Sequence, residues 1–216
     1  MRRSVLALVL LGALIACPNA TGHGGGNPNY RSTVTALSPT VPGVTLSVVD
    51  RDDRLRIEST SASEIVILGY DGEPYLRVTR DGVFRNVRSP ATYLNEDRFA
   101  NVELPAVADP KAEPEWEKIA AHPRYEWHDH RIHWMSPIDP PEVRASPDAT
   151  HHVFDWEVPG TVDGTPFTIE GALEYVPVAS SRPSWIYLPV PLAALVLVGV
   201  GLTFYRRRGR AVRVRP

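Results

Sequence analysis

Phe154-Asp155-Trp156-Glu157-Val158, then Asp163-Gly164, then Phe167-Thr168-Ile169-Glu170 is the stretch on which the reading of this chain turns. Large apolar side chains take every second position, with a carboxylate or a hydroxyl between them. Successive side chains of a strand point to opposite faces, so each half of the stretch buries one face and wets the other. Asp-Gly readily adopts the left-handed backbone that a tight hairpin turn demands. Residues 153–176 are therefore predicted to form an antiparallel hairpin. Leu173 and Tyr175 continue its apolar face and Glu174 its polar one.

The same signals recur upstream. Val44, Leu46 and Val48 alternate with Thr45 and Ser47, and Leu55 and Ile57 alternate with Arg54, Arg56 and Glu58. Asp50-Arg51-Asp52-Asp53 lies between them as a polar turn, which predicts a second hairpin. Glu64-Ile65-Val66-Ile67-Leu68 is apolar on both faces, as a central strand should be. Asp71-Gly72 and Asp81-Gly82 frame a strand over 75–79 and precede another over 83–87. Only residues 113–121 read as helical, with Pro114 in the first turn and Trp116, Ile119 and Ala120 on one side. Short strands, frequent turn residues and one minor helix predict an all-β domain, an antiparallel β-sandwich of immunoglobulin-like kind.

Both ends of the chain point to a membrane. Residues 185–205 are 21 uncharged, predominantly apolar positions, followed by Arg206, Arg207, Arg208 and Arg210. As a helix they span roughly 31 Å, the thickness of a bilayer's hydrocarbon core. Trp185, Tyr187, Phe204 and Tyr205 sit where aromatic rings favour the headgroup region, and the arginines belong on the cytoplasmic side. At the other end, Arg2 and Arg3 precede a 12-residue apolar stretch over 5–16, too short to span, which reads as a secretory signal. Ala20-Thr21-Gly22 is a cleavage site that would leave His23 first; Leu14-Ile15-Ala16-Cys17 is a competing lipobox that would lipidate Cys17. The organisation expected is signal peptide 1–22, extracytoplasmic domain 23–179, stalk 180–184, transmembrane helix 185–205 and basic cytoplasmic tail 206–216. That organisation is the one expected of a single-pass type I membrane protein whose amino-terminal domain lies outside the cytoplasm.

Charge and cysteine usage narrow the chemistry. Between the signal and the span lie 15 basic and all 25 acidic residues, a net charge of −10 with histidines neutral. Such a surface repels nucleic acid and attracts cations. Cys17 is the only cysteine, which excludes disulfides, thiolate metal sites and cysteine nucleophiles from the domain. No Gly-x-Ser-x-Gly, His-Glu-x-x-His, phosphate-binding loop or dinucleotide fingerprint is present. Carboxylates such as Asp155 and Glu157 are better read as the wet face of a strand than as a glycosidase pair.

One segment concentrates ligand-type residues: Tyr125-Glu126-Trp127-His128-Asp129-His130-Arg131-Ile132-His133-Trp134-Met135. Imidazole is the commonest transition-metal ligand, and a thioether adds preference for copper. On a straight strand His128 and His130 would face one way, and His133 and Met135 the other. Three histidines would then not share an ion without a bulge. The alternative is structural: Asp129 pairs with Arg131, and the imidazoles pack beside the tryptophans. His151-His152 is a further pair, expected in a solvated turn.

In layout alone (signal, amino-terminal His23, small β-sandwich, carboxy-terminal anchor) the chain resembles CopC-like copper proteins and the copper chaperones typified by YcnI. That likeness implies copper binding with His23 as one ligand. The Ser-x-Pro opening and the Asp-Gly-His segment of CopC-like proteins are missing here, so no ligand beyond His23 carries over. Through Leu68-Gly69-Tyr70-Asp71-Gly72-Glu73-Pro74-Tyr75 and Trp127-His128-Asp129-His130 the chain looks more like anchored envelope proteins of high-GC Gram-positive bacteria. Two functions are thus expected of a non-enzymatic binding domain. One is extracytoplasmic copper or transition-metal handling through His128, His130, His133 and Met135 with His23. The other is a protein-interaction or accessory role in an envelope complex, beside a membrane-protein partner and with no metal.

Overall fold

The computed structural model describes residues 27–178. The chain parts into two units, residues 1–177 and 178–216, and the fold below is that of the first. Ten strands carry it: β1 (Tyr30–Ser38), β2 (Val44–Val49), β3 (Arg54–Ser59), β4 (Ile65–Leu68), β5 (Pro74–Thr79), β6 (Gly82–Asn86), β7 (Trp116–Ala120), β8 (Arg124–His128), β9 (His151–Val162) and β10 (Thr165–Tyr175). Two short helices, α1 (Ala91–Leu94) and α2 (Pro141–Ala145), and a 3-10 turn at His130–Ile132 interrupt them. All strand pairings are antiparallel. One sheet has seven strands in the order β1-β10-β9-β4-β5-β6-β7, the other three in the order β2-β3-β8.

The hairpin read from 153–176 is the longest pairing of the large sheet. Val162 opposes Thr165, and the intervening Asp163 and Gly164 have φ of 47° and 78°, the signature of a type I′ turn. The alternation holds: Trp156, Val158, Phe167, Ile169 and Leu173 are buried, while Asp155 and Glu157 are exposed. Phe154 departs from it and is only half-buried. Trp156 lies opposite Gly171, where a Cβ would overlap the indole, and its Nε1 donates to Ser32 Oγ at 2.7 Å. The glycine makes room for the ring.

β4 sits at the centre of the large sheet between β9 and β5, as its doubly apolar sequence requires. The small sheet contributes Leu55, Ile57 and Trp127 to the same core as Ile65, Ile67, Leu76, Val78 and Val83 of the large one. The all-β, antiparallel reading is therefore correct.

The helix expected over 113–121 is a strand instead. β7 extends the sheet from β6, with Asn86 opposite Trp116 and Arg85 opposite Glu117. The Arg77 guanidinium lies 4.7 Å from the ring centroids of both Phe84 and Trp116, and Arg85 Nε donates to Glu117 at 2.7 Å. Pairing with an open sheet edge overrides a local pattern too short to fix its period.

Among the described residues no helix is long and apolar enough to cross a membrane. The signal 1–22, His23, the stalk 180–184, the span 185–205 and the tail 206–216 lie outside the described residues.

Candidate metal centre

β8 sends Trp127 into the core and ends at His128, opposite Arg54 at the start of β3. Instead of continuing as a strand, the chain turns. Asp129 is extended (φ −141°, ψ 119°), and its buried carboxylate accepts from the Trp127 indole at 3.0 Å and the Arg131 amide at 3.1 Å. The Arg131 guanidinium adds two bonds to the same carboxylate, at 2.8 and 2.7 Å. Burial works to raise the Asp129 pKa, but Arg131 and the hydrogen bonds outweigh it and hold the carboxyl below its ordinary value. This pair caps the 3-10 turn His130–Ile132, whose Ile132 plugs the core. Residues three apart eclipse in such a turn, which carries His133 back beside His130.

The straight-strand expectation is thereby corrected. His128, His130 and His133 converge on one point, with ring centroids 5.1, 4.7 and 5.6 Å apart in the pairs 128–130, 128–133 and 130–133. One ligating nitrogen from each lies within 4.8 Å of the others. The Asp129–Arg131 ion pair expected as the alternative also exists, and it is what builds the turn. The ion pair of the structural reading thus brings together the histidines that the ligand reading named.

What stands behind each ring fixes its tautomer. His128 Nδ1 lies 3.1 Å from Asp53 Oδ1, His130 Nε2 2.8 Å from the Asp97 carbonyl, and His133 Nδ1 3.2 Å from the Trp134 carbonyl. A carboxylate or a carbonyl only accepts, so these three nitrogens carry the protons. In neutral rings the remaining His128 Nε2, His130 Nδ1 and His133 Nε2 therefore carry lone pairs. Yet His128 Nε2 and His133 Nε2 are 2.9 Å apart. Two lone pairs at that distance repel unless a cation lies between them, either a shared proton or a metal ion. This is the arrangement of metal-bound histidines whose outer nitrogens are held by acceptors.

The surroundings of His133 and His130 favour the neutral ring. Burial first, then the nearby Arg98 charge, hold His133 down to about 3 against the bond to Trp134, and the residue is only 1% exposed. His130 is lowered too, chiefly by burial. Its ring stacks on Tyr70 at 5.7 Å, and its amide donates to the Tyr70 hydroxyl at 3.0 Å. Tyr70 in turn donates to Asn95. Behind His128, Arg98 bridges Asp53 at 2.8 Å and Asp52 at 2.7 Å. The hydrogen bond from His128 leads the causes that hold Asp53 well below the usual carboxylate range.

The cluster opens to solvent through a shallow pocket lined by His130, His133, Trp134, Met135, Ser136 and Phe154. Met135, the fourth expected ligand of the segment, stands at this mouth and is 39% exposed. His23, the fifth, lies outside the described residues. His151 and His152 join β9 away from the cluster: His151 Nε2 meets the Ser146 carbonyl at 2.7 Å and His152 Nε2 lies 3.5 Å from Asp155. Sequence reading missed Asp53, Arg98, Tyr70 and the Asp97 carbonyl. Asp52 and Asp53 carried a signal only as a polar turn; a backbone acceptor carries none.

No protein-family model, curated protein or solved structure matches this chain.

Proposed function

We propose that this protein is a membrane-anchored, extracytoplasmic metal-handling protein that binds a transition-metal ion, copper by preference, through His128, His130 and His133. One observation carries the reading: three imidazoles each bring a ring nitrogen within 4.8 Å of the others, two of them with Nε2 atoms 2.9 Å apart and acceptors behind both rings. Two nitrogens bound at about 2.0 Å to a tetrahedral ion sit roughly 3.3 Å apart. A slight parting of the rings would admit the ion. Met135 at the mouth supplies a thioether, which favours copper over zinc. His23, as the mature amino terminus, would add its amine and imidazole. The reading includes an immunoglobulin-like sandwich, one carboxy-terminal transmembrane helix over 185–205, a type I topology and no catalytic activity of its own.

The accessory-subunit reading has one observation in its favour. Phe99, Met135 and Ile138 are exposed, and Ile138 accepts the Trp134 indole hydrogen bond close to the mouth of the histidine pocket. In that reading a membrane-protein partner, a transporter or an oxidase, would dock there without a metal, and the membrane anchor would serve either idea.

The deciding experiment is copper and zinc titration in moderate salt with wild type, His133→Ala and a His128→Ala/His130→Ala double variant. Salt screens general attraction to the acidic surface, so only the built site should survive it. Wild type should bind one ion and both variants should lose it. Equal binding by all three would leave the cluster as structure and hand the case to the accessory role.

A further inference from the structure

We infer that the ion this site is built to hold is monovalent, reduced copper, with the Met135 thioether as its closing ligand; the inference rests on the metal reading above.

The donor set is the first ground. The three donors are imidazoles, which bind a metal only as neutral rings, and every nearby carboxylate is engaged elsewhere. Asp53 is bonded to His128 Nδ1 and Arg98, and Asp129 to Trp127 and Arg131. The Asp97 carboxylate accepts from the amides of Phe99 and Asn101. None is left to bind a hard dication directly.

Charge is the second. Asp129 is cancelled by Arg131, and Arg98 cancels one of Asp52 and Asp53. Arg54 lies 3.3 Å from Asp53 and offsets the other, so the ion-paired groups beside the cluster sum to zero, and Asp97 adds one negative charge, less than a dication would need. The cost of moving an ion out of water rises with the square of its charge, so a dication suffers about four times the penalty of a monocation at a partly buried site.

The mouth is the third. Trp134, Met135 and Phe154 present apolar surface and a polarisable sulfur where a dication would retain water. Three imidazoles and one thioether form an uncharged donor set, and it is the soft thioether that tips the choice toward reduced copper. Met135 follows His133 by two residues, lines the mouth and is exposed. It is tethered to the site without being fixed by the core.

The test uses the full chain in detergent micelles, without oxygen. A chromophoric chelator competes for reduced copper, with oxidised copper and zinc titrated in parallel. Wild type is compared with Met135→Leu, His130→Gln and His133→Ala, and thermal melts report folding. Wild type should hold reduced copper at least about 100-fold more tightly than zinc, and the potential of the bound copper couple should lie above that of aqueous copper. Met135→Leu should weaken reduced copper by about tenfold and leave zinc nearly unchanged. Zinc or oxidised copper bound as tightly as reduced copper, or a Met135→Leu variant with unaltered preference, overturns this inference and leaves the metal site standing. Binding that neither His130→Gln nor a folded His133→Ala diminishes removes the site and the inference together.

Discussion

At the scale of single residues, the cluster turns on what stands behind each imidazole. Asp53 is the only side-chain carboxylate among the three acceptors, so it is the one that substitution can remove. Asp53→Ala should lower metal affinity by about 10- to 100-fold, the usual effect of losing an outer-shell partner, while Asp155→Ala changes nothing. Equal affinities in the two variants would show that Asp53 does not orient His128. His133 makes a second prediction, for the metal-free protein. Its folded pKa of about 3 lies below the unfolded value of roughly 6.5. The unfolded chain therefore takes up the proton first. Stability from this group is full above about pH 6.5 and is lost as pH falls toward 3. Wild-type melting temperature should drop through that window, and a His133→Gln variant should show a shallower acid limb. Parallel profiles would mean that the buried imidazole does not govern it. The histidines were legible in sequence as candidate ligands, but their convergence was not. Period-two reasoning rested on a strand through 127–135, and the Asp129 cap on Arg131 ends that strand at His128.

At the scale of elements, local pattern succeeded where it was long and failed where it was short. β9 and β10 run 12 and 11 residues, enough repeats to separate a period of two from one of 3.6. β7 has only five residues, and its apolar positions fit either period. What decides it is β6, a neighbour that no local window contains. The hairpin's faces make a quantitative prediction. Trp156 is buried against Gly171 and bonded to Ser32, so Trp156→Ala should cost about 3–5 kcal/mol in urea denaturation. Asp155→Ala, on the exposed face, should stay within about 0.5 kcal/mol. Similar midpoints for the two would show that the sheet's faces are assigned wrongly. The β2–β3 turn shows the other side of the matter. Its Asp52 and Asp53 read as solvated turn residues, yet the register that sets Arg54 opposite His128 brings them against the cluster.

At the scale of the whole molecule, the proposal joins a site to a place. The acidic stretch over residues 23–184, at −10, would concentrate cations near the surface, and the three imidazoles would then select among them by geometry. That division of labour has a use only if the domain faces the compartment from which metal arrives. Topology is thus a functional prediction as well as an anatomical one. The 21 uncharged residues of 185–205 are long enough to cross once, and the four arginines within 206–210 oppose translocation of the tail. A reporter that works only in the cytoplasm, fused after Pro216, should be active, and one that works only after export should be silent there. Fused after Pro177, where the first unit ends, the two should exchange behaviour. If the cytoplasmic reporter works at both positions, the histidine cluster faces the reducing interior. Reduced copper would still fit its donors there, but the signal, the anchor and metal handling outside the cytoplasm would all have to be given up.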